Sequence, residues 1–128
     1  MDQLTVDSHP NANDFEETLG LLTPIHPLKF RFIIISNNIT TFGRKASCDY
    51  VCDRFMDTLT KLQYECISQV HFVILHHNKR TFIRDHSFYG TFIDGVLIGN
   101  GNEVQIHHGA VISVIVKRFK IFRFSYLS

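Results

Sequence analysis

From Leu28 onward the chain runs in short bursts, in which apolar and polar positions alternate or fuse into apolar blocks before turn-forming residues close them. LKFRFIII alternates apolar and basic positions and then becomes solidly apolar; ITTFG, HFVILHH, NKRTFIRD, TFIDGVLI, NEVQIHHG, AVISVIV and KRFKIFRFSY follow. Because strand side chains point to alternate faces, runs of this kind predict strands. Asn37-Asn38, Asn78, Gly95, the Gly99-Asn100-Gly101-Asn102 cluster and Gly109 mark the turns between them. Short strands at regular spacing with one aromatic-rich face predict an all-β fold, an antiparallel β-sandwich of two twisted sheets with its functional loops gathered at one end. CDRFMDTLTKLQYEC breaks the alternation and reads as an insertion between strands that carries a turn of helix.

Residues 1–24 are polar and acidic apart from an apolar patch at Leu19–Leu22, with prolines at 24 and 27, and read as a loosely ordered leader; 25–128 form the domain. With 128 residues, 45% of them hydrophobic and 12 of them Phe, the chain can bury one aromatic core but not two. A net charge of +1 argues against nucleic acid or a membrane surface as the main partner. Lys117, Arg118 and Lys120 read as a turn between the last two strands, with lysines that keep sheet edges soluble.

Cys48, Cys52 and Cys66 are odd in number and lack paired spacing, which fits reduced thiols in an intracellular protein. No apolar run reaches membrane-spanning length and no signal peptide precedes the acidic start, so the sequon Asn38-Ile39-Thr40 is read as fortuitous. The pairs His76-His77 and His107-His108 invite a metal, but neighbours on a strand face opposite ways, so each pair offers one imidazole at most. No cofactor and no metal are expected.

Three loop stretches carry the chemistry: FGRKASCDY, with Gly43 and Arg44; ISQVHF, with Ser68 and His71; and SFYGTF, with Tyr89, Gly90 and Thr91. An arginine fork beside a serine hydroxyl and a glycine-bearing turn supplies the donors that a phosphate needs. From the residues alone, the ordinary reading of such an arginine is a solvated surface charge. The order FGR, S-x-x-H and S-x-x-GTF-x-x-G over roughly residues 28–126 resembles the forkhead-associated (FHA) domains, which are phosphothreonine-binding β-sandwiches. FGRKASCDYVCD, ISQVHF, DHSFYGTF and LIGNG are most similar to the domain of checkpoint effector serine/threonine kinases of the DNA-damage response.

The resemblance implies a phosphothreonine-containing peptide as partner, Arg44 and Ser68 on its phosphate, Gly90 and Thr91 shaping the recognition loop, and Gly43 and His71 as structural support. It also implies a nuclear, cell-cycle setting. Three positions depart from the family pattern. Tyr89 stands where an asparagine amide clamps the peptide backbone, Gln69 where a basic residue is common, and Ala46 where the resembling domains carry lysine; Lys45, one residue off register, is a partial substitute. Losing a charge-assisted contact costs roughly 1.5–3 kcal/mol and a neutral one about 1, so a weakened or altered pocket is expected.

Enzyme motifs are lacking: G-x-G-x-x-G, H-R-D and D-F-G do not occur, and Ser68 and His71 have no evident acid partner in sequence. No catalytic activity is therefore expected of this chain, and the resemblance to checkpoint kinase domains implies that it is the regulatory fragment of a longer kinase. The alternative reading is a phosphate-independent interaction or dimerisation module that uses Tyr89 as part of its surface and self-associates weakly.

Overall fold

The computed structural model describes residues 19–127, which form eleven strands and one helix. In chain order these are β1 (Gly20–Pro24), β2 (Ile33–Ile35), β3 (Ile39–Gly43), β4 (Tyr50–Val51), α1 (Lys61–Cys66), β5 (Phe72–His77), β6 (Arg80–Asp85), β7 (Thr91–Ile93), β8 (Val96–Leu97), β9 (Glu103–Ile106), β10 (Val111–Val114) and β11 (Lys120–Tyr126). They make a six-stranded sheet, ordered β2-β1-β11-β10-β7-β8, and a five-stranded sheet, ordered β4-β3-β5-β6-β9. All pairs are antiparallel except β3 with β4. The expected antiparallel β-sandwich is the fold.

β1 moves the start of the sandwich to Gly20, earlier than the boundary at residue 25. Gly20 to Pro24 lie between β2 and β11, with Leu22 opposite both Ile33 and Phe124 and without exposed surface. Acidic neighbours and two prolines concealed this strand in the sequence; Pro24 is tolerated as its last residue, where the ladder ends. The remainder of the leader, residues 1–18, lies outside the described residues. LKFRFIII yields only the three-residue β2, and Phe30 drops from the irregular stretch before it into the core.

Hairpin turns follow the local chemistry. At Asp94-Gly95 both residues take left-handed φ values, 49° and 82°, which suits the twist of a two-residue hairpin and is why TFIDGVLI splits into β7 and β8. Asn78 and Lys79 do the same between β5 and β6, with φ of 51° and 63°.

The two sheets are joined by rings. Phe42 of β3 stacks on Phe72 of β5 at 4.6 Å between centroids and meets Phe122 of β11 edge-on at 5.7 Å, while Phe30 lies 5.2 Å from Phe122. Geometries of this type add about 0.5–1.5 kcal/mol per pair to the burial of the rings themselves. Around them Ile35, Ile74, Ile83, Ile106, Ile112 and Ile121 have no exposed surface.

The insertion between β4 and β5 is anchored, not loose. Asp57 is buried; its Oδ1 accepts the Tyr50 hydroxyl at 2.7 Å and its Oδ2 the Asp53 amide at 2.8 Å. Burial raises the Tyr50 phenol well above its ordinary range, so it stays a donor. Helix α1 then starts on a capping box, with Thr60 Oγ1 accepting the Gln63 amide and Gln63 Oε1 accepting the Thr60 amide.

Phe42→Ala is expected to lower unfolding free energy by about 3–5 kcal/mol, whereas Ile39→Ala, on the same strand but 56% exposed, should change it by less than about 1. Urea unfolding of both variants checks this; equal losses would deny that the ring cluster joins the sheets.

Candidate functional site

Three connections converge at one end of the sandwich: β3 to β4 (44–49), α1 to β5 (67–71) and β6 to β7 (86–90). Backbone pairing brings the first two together, as the Arg44 amide donates to the Ser68 carbonyl at 3.1 Å and the Lys45 amide to the Gln69 carbonyl at 2.9 Å. The approach is so close that a Cβ on Gly43 would lie 2.2 Å from the Gln69 carbonyl oxygen, so no other residue fits at 43. The 44–49 turn is held at its base by Thr41 and Asp49: the Thr41 amide donates to Asp49 Oδ2 at 2.8 Å, and the Asp49 amide donates to Thr41 Oγ1 at 2.9 Å.

His71 ties the second connection to the third. Its Nδ1 accepts the Ser68 amide at 3.1 Å, which leaves the ring proton on Nε2 to be donated to the Gly90 carbonyl at 2.8 Å. The Gly90 carbonyl also accepts the Ile115 amide at 2.9 Å. Ser68 Oγ accepts the Phe88 amide at 3.0 Å, which leaves the hydroxyl proton available outward.

The β6–β7 loop is wound around one buried carboxylate, and sequence reading missed it. Asp85 Oδ1 accepts the Ser87 amide and hydroxyl at 2.9 and 2.6 Å and the Thr91 hydroxyl at 2.8 Å, while Oδ2 accepts the Thr91 amide at 3.2 Å. Ser87 Oγ in turn accepts the Gly90 amide at 2.8 Å, and Asn100 Nδ2 donates to the Ser87 carbonyl at 2.8 Å. Asp followed at the second residue by Ser is a turn-forming signature, and that was the available signal.

The winding takes up the two residues that were expected to shape the loop. Thr91 has no exposed surface and both its amide and hydroxyl are spent on Asp85, while Gly90 is buried with amide and carbonyl committed. His71, also without exposed surface, has both ring nitrogens on backbone partners.

The outward groups are Arg44, Lys45, Ser68, Gln69 and Tyr89. Arg44 is half-buried: its Nε donates to the Ile67 carbonyl and its guanidinium carbon lies 5.6 Å from the Tyr64 ring centroid. Among the described residues its Nη groups have no hydrogen-bond partner and no carboxylate pairs with it. Lys45 and the Gln69 side chain are exposed, although the Gln69 carbonyl is held by the Lys45 amide and, at 3.3 Å, by Cys48 Sγ. Tyr89 is 54% exposed and meets Phe88, 84% exposed, edge-to-face at 4.9 Å. The loop tip is thus an aromatic pair standing in water at the position where the family pattern has an amide clamp.

No group of three or more His, Cys, Asp or Glu is placed to hold a metal ion among the described residues. His76 is buried with Nδ1 2.8 Å from Thr81 Oγ1, His77 faces solvent, and His108 Nδ1 accepts the Tyr126 amide at 3.1 Å. Lys117 and Arg118 lie in the β10–β11 turn and Lys120 opens β11. No helix among the described residues is long and apolar enough to cross a membrane.

The two-sheet sandwich thus presents, on braced loops at one end, a guanidinium without an ion pair among the described residues and a serine hydroxyl, the donors of an oxyanion-binding module. Residues 40–115, more than half of the chain, match the FHA domain family, and the chain belongs to it. Its fold is shared by Mycobacterium tuberculosis EmbR in complex with a low-affinity phosphopeptide (TM-score 0.66, 20% identity, 87% of this chain and 25% of that one). The N-terminal FHA domain of S. cerevisiae Rad53p in complex with a phosphothreonine peptide is similar too, at TM-score 0.64 and 18% identity over 84% of this chain and 93% of that one. Rad53 in complex with AMP-PNP superposes at TM-score 0.67 and 17% identity over 84% of this chain and 30% of that one. The chain therefore spans only a quarter of the EmbR chain it matches.

Burial pulls the His71 imidazole below its ordinary value of 6.5, against smaller opposing effects of the Gly90 carbonyl and the Asp85 charge. The folded protein resists the proton that the unfolded chain takes up, so this stability is full above about pH 6.5 and is lost as pH falls below it. Denaturant midpoints at about pH 7.5 and about pH 5.5 should show the drop, and His71→Gln, less stable throughout, should show a smaller one. Identical drops would assign the acid sensitivity to other groups.

Proposed function

We propose that this chain is a phosphothreonine-peptide reader whose pocket departs from the family pattern, and that it serves as the regulatory domain of a checkpoint-type protein kinase in the nucleus. The observation that carries the reading is Arg44: half-buried, oriented by Ile67 and Tyr64, unpaired among the described residues, and next to a serine whose hydroxyl proton is unspent. A phosphate brings roughly −1.5 to −2 charges and three acceptor oxygens to such donors, so phosphorylated and plain threonine are told apart by charge and geometry together. The kinase setting rests on the resemblance of FGRKASCDYVCD, ISQVHF and DHSFYGTF to checkpoint kinase domains.

Tyr89 changes how a peptide would be held. Its hydroxyl can make one hydrogen bond, and its ring, with Phe88, offers apolar surface in place of an amide's paired donor and acceptor. The same exposed pair, with Val96 and Leu97 at 70% and 55% exposure on edge strand β8, favours a second reading, a phosphate-independent interaction or dimerisation surface. Sedimentation across concentrations separates the two, because only the second requires association of dephosphorylated protein.

Calorimetric titration of a degenerate phosphothreonine library should give binding that Arg44→Ala weakens by at least about tenfold, the worth of one charge-assisted contact. Tyr89→Asn should tighten binding by about fivefold or more. An unaltered affinity in Arg44→Ala would sink the reader, whereas an unaltered Tyr89→Asn would sink only the account of the tyrosine.

A further inference from the structure

The Gly99-Asn100-Gly101-Asn102 cluster between β8 and β9 does more than turn the chain. It closes on itself, with the Asn102 amide donating to the Gly99 carbonyl at 2.9 Å and Gly101 at a φ of 85°. It is also stitched to the recognition loop. The Gly101 amide donates to the Asp85 carbonyl at 2.7 Å, the Asp85 amide to the Asn102 carbonyl at 3.0 Å, and Asn100 Nδ2 to the Ser87 carbonyl at 2.8 Å.

The last of these bonds reaches the candidate site through one rigid unit. The Ser87 carbonyl and the Phe88 amide belong to the same planar peptide group. Its oxygen is held by Asn100, and its N–H donates to Ser68 Oγ at 3.0 Å. Among the described residues no other donor reaches the Ser87 carbonyl. The tilt of that plane therefore sets how the Ser68 oxygen is held, and with it the direction of the outward hydroxyl proton.

Asn100 is also the only asparagine in the sequence that glycine follows; the others precede Ala, Asp, Asn, Ile, Lys or Glu. An asparagine side-chain amide is open to attack by the backbone nitrogen of the next residue, and glycine has no Cβ to hinder the approach. The Gly101 nitrogen bonds to Asn100 Cγ, the Cγ–Nδ2 bond breaks, and Nδ2 leaves as ammonia with the Gly101 amide proton. Water then opens the cyclic imide to aspartate or isoaspartate. Solvent water is the one co-reactant, and both residues are exposed to it.

We propose that Asn100 is a modification site, at which spontaneous deamidation unties the Ser87–Phe88 peptide plane and so releases Ser68. Asn100 is then a positioning residue that acts on Ser68 through that plane. The carboxylate that replaces its amide has no proton to donate and sets an acceptor against the Ser87 carbonyl. In the folded protein both reacting groups are committed, the Gly101 N–H to Asp85 and Nδ2 to Ser87, so conversion proceeds from molecules in which the 99–102 turn has opened. Whatever holds the recognition loop closed slows the conversion, and conversion in turn favours the open loop. An Asn-Gly turn that touched only solvent would deamidate without consequence; here the lost donor belongs to the recognition loop. Nothing in this chemistry requires the ligand to be a phosphothreonine peptide.

Ageing at mildly alkaline pH tests the site, with peptide mass spectrometry and amide spectra recorded on wild type, Asn100→Asp and Asn100→Gln. Glutamine keeps a donor amide but cyclises far more slowly. Asn100 should convert ahead of Asn102, and at least about tenfold faster in urea than in the native protein. In the native protein the amides of Ser68, Ser87 and Phe88 should shift in proportion to the converted fraction. Asn100→Asp should show one shifted set from the outset, and the spectrum of Asn100→Gln should not change with age. A native Asn100 that stays intact while the unfolded chain converts fully, conversion without a shift at Ser68, or the same ageing shifts in Asn100→Gln would each overturn the proposal.

The degenerate phosphothreonine library adds a functional readout. Fresh wild type should bind it about fivefold more tightly than Asn100→Asp, the worth of one neutral hydrogen bond. Equal binding by the two would break the link from Asn100 to Ser68. No binding by fresh wild type would reject the phosphothreonine reading alone, and the amide spectra would still decide the fate of Asn100.

Discussion

His71 stands without exposed surface between the connection that carries Ser68 and the loop that carries Tyr89, and both its ring nitrogens are committed to backbone. Only one tautomer satisfies both contacts, proton on Nε2 and lone pair on Nδ1, so the imidazole adds a side-chain tie between two connections that already meet at the end of the β5–β6 ladder, where the His86 amide donates to the His71 carbonyl at 3.0 Å. A hydrophobic side chain of similar size would fill the volume but strand the Ser68 amide and halve the support of the Gly90 carbonyl, at about 1–3 kcal/mol for each buried polar group left unpaired. A charged imidazole would set an N–H against the Ser68 N–H. The brace therefore depends on the ring being neutral, and its burial keeps it so.

Around that brace, donors divide into those spent on shape and those left for a ligand. The buried Asp85 carboxylate collects donors from Ser87 and Thr91, and this turns the β6–β7 loop into a rigid platform despite its exposed tip. A carboxylate so surrounded is supported by charge-assisted bonds, which are stronger than neutral ones and offset the cost of taking it out of water. Arg44, by contrast, is oriented by one carbonyl and one ring and keeps its fork open. Ser68 does both at once: its oxygen accepts from Phe88 and its proton remains free.

Period-two alternation made most of the sandwich legible, along with the turns at Asn78 and Gly95 and the helical insertion, because these follow from local pattern and turn chemistry. β1 was hidden because its burial depends on β2 and β11, whose pairing with it no local window contains. The family motifs brought Arg44, Ser68, His71 and Tyr89 to attention, but motif membership does not say which residues face outward. Thr91 has the composition of a contact residue and is wholly buried, since a carboxylate six positions upstream captures its hydroxyl.

Ile115 shows how far the platform's support extends. It is β-branched yet sits at a φ of 74°, a conformation that costs such a residue on the order of 1–3 kcal/mol. The Val116 amide donates to the Val114 carbonyl at 2.8 Å across it, so the chain makes a three-residue turn directly after β10. That turn aims the Ile115 amide at the Gly90 carbonyl, the acceptor His71 holds from the other side. Two donors from opposite sheets thus converge on one carbonyl in the recognition loop, β5 supplying His71 next to its first residue and the end of β10 supplying Ile115. A shift of one sheet relative to the other would have to break one of these bonds, so the position of Tyr89 is set by how the whole sandwich packs as well as by the bonds that Asp85 makes to Ser87 and Thr91.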